Sequence, residues 1–256
     1  MEFLSVRQTE DIAYVTLDNL KEFNTLTMGL IREFNELLKE IGAKREVKVV
    51  VIEGSERVFC AGHSLKEINA KTENEVLALF QACQVLMRTM REIPQLVISK
   101  VHSAAVAAGC QLVAASDLAV ASDQAKFATP GINSGLFCST PAVFLSRNIG
   151  RKKAVELLFT GNFMSAEEAL QHGLINKVVP VELLDEETEK LAKDITKQSL
   201  NIIALGKRQF YQQIDMEDFQ ALNYSTEVIS LNSKHPDAIE GISAFIEKRR
   251  PVWNEK

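Results

Sequence analysis

Apolar and polar positions alternate along Ile12-Ala-Tyr-Val-Thr-Leu17, a stretch rich in β-formers, which predicts a strand after a shorter one around Phe3 to Val6. Asp18-Asn19 ends it. From Leu26 the period changes: Leu30, Ile31, Phe34, Leu37, Leu38 and Ile41 share one helical face, with Asn24 or Thr25 available as the cap. Val47-Lys-Val-Val-Val-Ile52 is an apolar run closed by Glu53-Gly54-Ser55, as in a central strand covered on both faces. Phe59 to Leu65 reads as a loop and roughly Glu73 to Arg91 as mixed helical sequence, broken by Pro94. Leu96 to Val101 then forms a strand that leads into the stretch around which the chain is organised.

That stretch, Val101 to Ala121, runs strand, small-residue turn, short buried helix, strand. Ala104, Ala105, Ala107, Ala108 and Gly109 let backbones approach closely, and a helix opening near Gly109 presents unpaired N–H groups at its positive end. Such an end suits developing negative charge. It equally suits a tightly packed turn in an α/β core. Beyond the strand at Leu118 to Ala121, Thr140-Pro141 looks like a cap with proline at the first helical position. Ser165-Ala-Glu-Glu168 has capping-box spacing, and Gly173 closes that helix. Val178-Val179-Pro180 ends the last strand signal, and residues 181–250 read as helices broken near Asn201, Asp215 and His235-Pro236. Strands separated by helices, followed by helices alone, predict an α/β sheet core over residues 1–195 and a C-terminal helical module over residues 196–256.

Composition narrows the function classes. A chain of 256 residues with 46% hydrophobic content can bury a full core. A net charge of -5 without a long basic run argues against a general nucleic-acid or membrane-surface binder. Cys60, Cys83, Cys110 and Cys138 lie far apart in apolar or small-residue settings, as reduced, buried thiols do. The first ten residues lack a basic start followed by an apolar core, and no segment approaches ~20 apolar residues. These features set the expectation of a soluble, cytoplasmic protein without membrane insertion.

Several familiar motifs fail at their first test. Gly62-His-Ser-Leu-Lys66 has part of a nucleophile elbow but ends in Lys66 where the turn needs glycine. No GxGxxG or GxxxxGK[ST] occurs, and Cys60 with His63 has no second pair of metal ligands. Asp117 and Asp123 flank a strand and read as turn and cap residues.

Phe59-Cys-Ala-Gly-His-Ser-Leu-Lys66, Ala107-Ala-Gly-Cys-Gln-Leu-Val-Ala-Ala-Ser-Asp-Leu118 and Gly241-Ile-Ser-Ala-Phe-Ile-Glu-Lys-Arg249, in this order and spacing, resemble the enoyl-CoA hydratase/isomerase (crotonase) superfamily. The resemblance runs from about Ile12 to Trp253, and Ala128 to Pro141 with Lys248-Arg-Arg-Pro-Val-Trp253 looks most like the enoyl-CoA hydratase domain-containing protein 3 group. It implies a crotonase (ClpP/crotonase-like) spiral core of ββα units with a C-terminal helical module, assembled as a homotrimer or a hexamer (dimer of trimers). The implied partner is an acyl-CoA thioester, with no cofactor beyond the coenzyme A that the substrate carries.

The resemblance also implies roles for residues. In that family a thioester oxygen sits between two backbone N–H groups, which here belong to His63 and Ala108; the family commonly has glycine at the second, and an alanine keeps the donor. Because only the amide is needed, the His63 imidazole has no assigned role. Ala61, Ser64, Leu65, Gly109, Pro130 and Gly131 flank the two motifs as binding positions. Lys66 falls near the CoA phosphates, Lys21 near the mouth, and Phe23 and Leu26 beside the ligand. Phe245 and Lys248 would reach CoA from the last helices, in a neighbouring subunit. For each lysine the plainer reading is a solvated surface charge.

Two departures bear on chemistry. Hydratases of the family carry one glutamate three residues after the second donor and another after the proline of the following loop; this chain has Gln111 and Gly131 there. Adding water to a double bond needs a base and an acid, and neither residue supplies one. Gln111 could still hold a water, while Thr129, Asn133, Cys138 and Ser139 could lie near the acyl group or serve in the loop and cap. The expectation is an acyl-CoA-binding protein of hydratase/isomerase type that stabilises a thioester enolate, with weak or non-standard chemistry. Two alternatives compete: a non-catalytic acyl-CoA binder or regulator, and a different reaction such as decarboxylation.

Overall fold

The computed structural model describes residues 1–55 and 57–254. Its main sheet, among the described residues, has six strands in the order β1-β2-β3-β5-β7-β10. β1 (Leu4–Thr9) and β2 (Ile12–Leu17) pair antiparallel from Leu4↔Leu17 to Thr9↔Ile12. From β2 onward, β3 (Val49–Glu53), β5 (Leu96–Val101), β7 (Leu118–Ser122) and β10 (Lys177–Val179) run parallel. The apolar run in β3 follows from cover on both sides: Val50 and Ile52 join the core that holds α1 (Met28–Gly42), whereas Val49 and Val51 pack with Leu184 and Ala192 of α8 (Leu184–Thr196).

Three successive chain units each give one strand to this sheet and a second, short one to a smaller sheet. β4 (Val58–Cys60) follows β3, β6 (Ala104–Val106) follows β5, and β8 (Lys126–Ala128) follows β7. The small sheet has the order β4-β6-β8-β9, with β9 (Met164–Ser165) antiparallel to β8. Helices complete the units: α2 (Leu65–Ala70) and α3 (Glu73–Glu92) after β4, α4 (Ala108–Ala115) after β6, and α5 (Ser139–Asn148) and α6 (Arg151–Thr160) after β8. β4 and β6 fall in segments expected as loop and turn, and β8 and β9 where no strand was expected. At two or three residues they cannot show a side-chain period.

Several predicted boundaries move, each for a local reason. α1 is capped by Thr27, whose hydroxyl accepts the Leu30 amide at 3.2 Å, not by Asn24 or Thr25. Asn24 is buried at φ +54, its side chain accepting from the Asn19 amide and donating to the Phe59 carbonyl. α4 opens at Ala108, and the residue with positive φ before it is Ala107. α5 opens at Ser139 after Cys138, so Thr140 is not its cap. The capping box at Ser165 and Glu168 forms as expected on α7 (Ala166–Gln171), and Gly173 follows at φ +83.

The C-terminal helices are α9 (Leu200–Gln213), α10 (Asp218–Asn232) and α11 (Pro236–Glu247). Ser199 caps α9, so Asn201 lies within its first turn rather than at a break. α9 is tied to the main sheet by a buried ion pair: Lys207 Nζ lies 2.7 Å from Asp117 and also donates to the carbonyls of Met90 and Gln95. Asp117, expected as a turn residue, also accepts from the Val97 amide at 2.7 Å and the Tyr211 hydroxyl at 2.8 Å. α10 and α11 expose Phe219, Leu231 and Phe245. Among the described residues no helix is long and apolar enough to cross a membrane.

Candidate functional site

The head of α4 meets the loop after β4 where only small residues allow it. Gly109 packs on β4 so closely that a Cβ would stand 2.1 Å from the Cys60 carbonyl oxygen. Gly62, at φ +90, lies against the turn before α4; a Cβ there would stand 2.8 Å from the Ala107 Cβ and 3.1 Å from the Ala108 nitrogen. The Gly62 carbonyl accepts the Leu26 amide at 2.7 Å and the Phe23 carbonyl accepts the Ala61 amide at 3.1 Å, which pins the loop from its other side. His63 follows Gly62 directly, so its amide and that of Ala108 stand on abutting segments. Among the described residues, neither amide donates to a protein acceptor. A helix start with free donors suits an anionic oxygen.

Beside these amides is a cavity of about 360 Å³. Its walls come from the loop with Ala61 and His63, from Leu65 and Ile68 of α2, from Phe80 of α3, from Val106 to Ala108, and from the segment between Pro130 and Pro141. No aspartate or glutamate lines it among the described residues; its titratable side chains are His63 and Cys138.

Gln111 and Gly131, the two positions where the resemblance led to an expectation of glutamate, are both hemmed in by neighbours. Gln111 is buried on α4 behind the lining, and its Oε1 accepts the Thr140 hydroxyl at 3.0 Å. That bond takes the hydroxyl that sequence reading gave to a helix cap. At Gly131, a Cβ would stand 2.2 Å from the Leu136 carbonyl oxygen and 2.8 Å from Cys138 Sγ. The room where a second carboxylate would start is filled by a carbonyl and a thiol. Burial raises the Cys138 thiol above its ordinary range, with the Gly131 amide pulling the other way.

His63 Nδ1 lies 3.1 Å from the Leu26 carbonyl oxygen, which can only accept, so Nδ1 carries the ring proton. The ring meets Phe80 edge-on, centroids 4.8 Å apart. Burial holds the imidazole below the usual histidine range, against the pull of Leu26 and Glu67 toward the charged form. Its Nε2 is buried and has no hydrogen-bond partner among the described residues.

Of the other residues singled out, Ala61, Leu65, Ala108, Pro130 and Gly131 line the cavity. Ser64 caps α2 through the Glu67 amide, and Lys66 is exposed in the first turn of that helix. Lys21 and Phe23 are exposed on a 3-10 turn, while Leu26 is buried and meets the site through its carbonyl. Gly109 lies behind the wall. Phe245 and Lys248 are exposed at the end of α11, and neither lines this cavity. Cys138 and Ser139 line it, but Thr129 and Asn133 do not; the Thr129 hydroxyl goes to the Leu157 carbonyl. Phe80, Ile68 and Leu136 were missed, since an apolar residue reads the same whether it faces a core or a cavity.

The enoyl-CoA hydratase/isomerase family matches residues 7–256. The mitochondrial enoyl-CoA hydratase domain-containing protein 3 of Rattus norvegicus is 43% identical over 251 residues, covering 98% of this chain and 84% of that protein. The crystal structure of human enoyl coenzyme A hydratase domain-containing protein 3 superposes with a TM-score of 0.95 at 42% identity, covering 98% of this chain and 100% of that one. An enoyl-CoA hydratase of Mycobacterium smegmatis gives the same TM-score, 0.95, at 42% identity and 98% coverage of each chain. The rat, mouse and human relatives are mitochondrial by name, which overturns the cytoplasmic expectation. Buried, reduced thiols and ten unremarkable leading residues do not distinguish one reducing compartment from another.

Proposed function

Because the chain belongs to the enoyl-CoA hydratase/isomerase family and has the crotonase fold, we propose that it binds an acyl-CoA thioester in the cavity at the head of α4. The thioester oxygen accepts from the His63 and Ala108 amides. The observation that carries this is the contact of Gly62 with Ala107 and Ala108, which joins two segments whose amides are both uncommitted. Coenzyme A enters as part of the ligand, with Lys66 and Lys21 available to its phosphates, and no separate cofactor is needed.

An oxyanion held this way favours enolate-like states, and each aimed donor is worth about 10²–10³ in rate. Proton handling is the weak link. A positioned acid or base contributes about 10²–10⁴, and both glutamate positions lack one, so hydration of a simple enoyl-CoA is slow. Calorimetry with saturated acyl-CoA esters, alongside crotonyl-CoA turnover, tests both parts. Saturable binding with hydration at least about a hundredfold below an ordinary hydratase is expected. Absence of binding overturns the proposal, and ordinary hydration overturns its account of the missing acids.

A non-catalytic acyl-CoA binder is the second reading, favoured by the absence of carboxylates among the described lining residues. Product analysis after long incubation separates the two, since a binder releases none. A homotrimer, or a dimer of trimers, is supported by the apolar side chains that α10 and α11 leave exposed, Phe245 at 85% among them. It would let Phe245 and Lys248 serve a neighbour's ligand, and a sizing measurement that finds a monomer rejects it.

A further inference from the structure

Away from the head of α4, a second cavity of about 390 Å³ opens between the end of α3 and one side of α9. The two cavities share no lining residue, and Phe80 and Arg91, which α3 gives to the first and the second, stand about 16 Å apart along the helix axis. Charge on the second is unbalanced. Lys207 is neutralised by Asp117, and Glu92 is engaged by Arg88 at 2.6 Å. Arg91 and Arg208 also line the cavity, and neither forms an ion pair or a hydrogen bond among the described residues. Two guanidinium charges therefore border one cavity in a chain whose net charge is -5. Arg91 also lies close enough to Lys207 to work against that lysine's charge.

We propose that this cavity is a second ligand site and takes a phosphate monoester, its dianionic group between Arg91 and Arg208 and its organic part on the apolar wall of Ile93, Pro94 and Ala204. Arg91 is already held in place, its guanidinium over the rings of Phe144 and Tyr211 at 4.6 and 4.4 Å from their centroids. Its Nε is buried, so the ligand meets the terminal nitrogens of the fork. On α9 the Tyr224 hydroxyl donates to Gln212 Oε1 at 2.7 Å, which leaves the Gln212 Nε2 donor uncommitted among the described residues. Stacking on two rings and complementing the dipole at the end of α3 would account for Arg91 alone. They do not account for Arg208 and a donor amide on the same cavity. A phosphate answers two guanidiniums with two charges and several acceptor oxygens, whereas a carboxylate answers one. The volume leaves room for an organic substituent beyond the phosphate.

The test is calorimetry on the full chain with phenyl phosphate and with benzoate, a flat aromatic anion of single charge. Phenyl phosphate should bind once per chain and at least about tenfold more tightly than benzoate. Arg208→Gln removes an exposed side chain, should fold as the wild type does, and should weaken phenyl phosphate about tenfold. Arg91→Lys keeps the charge but not the planar fork and should weaken it severalfold. Coenzyme A carries the same phosphate chemistry, so the titration is repeated with one equivalent of butyryl-CoA already present, where the affinity for phenyl phosphate should be unchanged. Loss of phenyl phosphate binding in that arm, equal binding of benzoate, an affinity that neither variant moves, or no saturable binding overturns the inference. None of these results counts against the acyl-CoA reading of the first cavity.

Discussion

At Gly131 the backbone allows a side chain but the surroundings do not. φ is not positive there, yet the Leu136 carbonyl and the Cys138 thiol occupy the Cβ direction. Gly131→Glu should therefore lose stability by about 2 kcal/mol, an overpacking cost, and gain no hydration of crotonyl-CoA. Gln111→Glu changes one atom and should fold; it tests whether a carboxylate beside Thr140 alone raises turnover. Thermal unfolding and initial rates on both variants measure this. His63 adds a pH dependence with a definite sign. Its folded pKa lies below the ordinary value of 6.5, so as pH falls the unfolded chain takes the proton first. The stability of the neutral ring is present above about pH 6.5 and is lost as pH falls toward the folded value. The melting temperature of the wild type minus that of His63→Gln should shrink between about pH 7.5 and pH 5.5.

At the scale of elements, the site depends on how α4 seats on β4. Ala107 holds φ +50 and ψ -115, an unfavourable conformation for a residue with a Cβ. It is maintained by the bond from its amide to the Ala128 carbonyl at 2.8 Å and by the packing of Gly62. The helix then enters the core with every residue from Ala108 to Ala115 buried. A methyl at Gly109 would displace the Cys60 carbonyl, so Gly109→Ala should cost about 3 kcal/mol and lower the denaturant midpoint. Thioester affinity should fall with it, because in the proposed binding mode the thioester oxygen uses the Ala108 amide next to Gly109. The α3 helix contributes more quietly: Leu79, Cys83, Leu86 and Met90 are buried, while Phe80 turns to the cavity. Its periodic pattern predicted the helix and left the neighbouring face unassigned.

At the scale of the molecule, one ion pair joins the C-terminal helices to the sheet. Lys207 and Asp117 are 2% and 6% exposed, and the lysine's other donors go to main-chain carbonyls. Burial depresses the Lys207 pKa, with Asp117 pulling the other way. Lys207→Met leaves Asp117 buried without its counter-charge, at an expected cost of about 3–5 kcal/mol in urea unfolding. Adding Asp117→Asn to Lys207→Met should recover part of that loss. Single-residue truncation is thus expected to loosen α9 from the core before the cavity itself is touched.

The sequence by itself determined the elements long enough to repeat a pattern: the alternation of β2, the stripe of α1, the run in β3 and the capping box of α7. It also determined the family, through the resemblance of three motifs, Phe59 to Lys66, Ala107 to Leu118 and Gly241 to Arg249, in their order and spacing. Strands of two or three residues, the cap of α5 and the part played by Asp117 escaped it. Only the tertiary structure decided that Gln111 is occupied by Thr140, that a carbonyl and a thiol fill the space beside Gly131, and that the His63 ring holds a buried nitrogen without a partner among the described residues. The Gln111 and His63 contacts join segments distant along the chain, and the crowding at Gly131 comes from how a short loop turns back on itself; all are set by packing and not by any periodicity, so a one-dimensional pattern carries no trace of them.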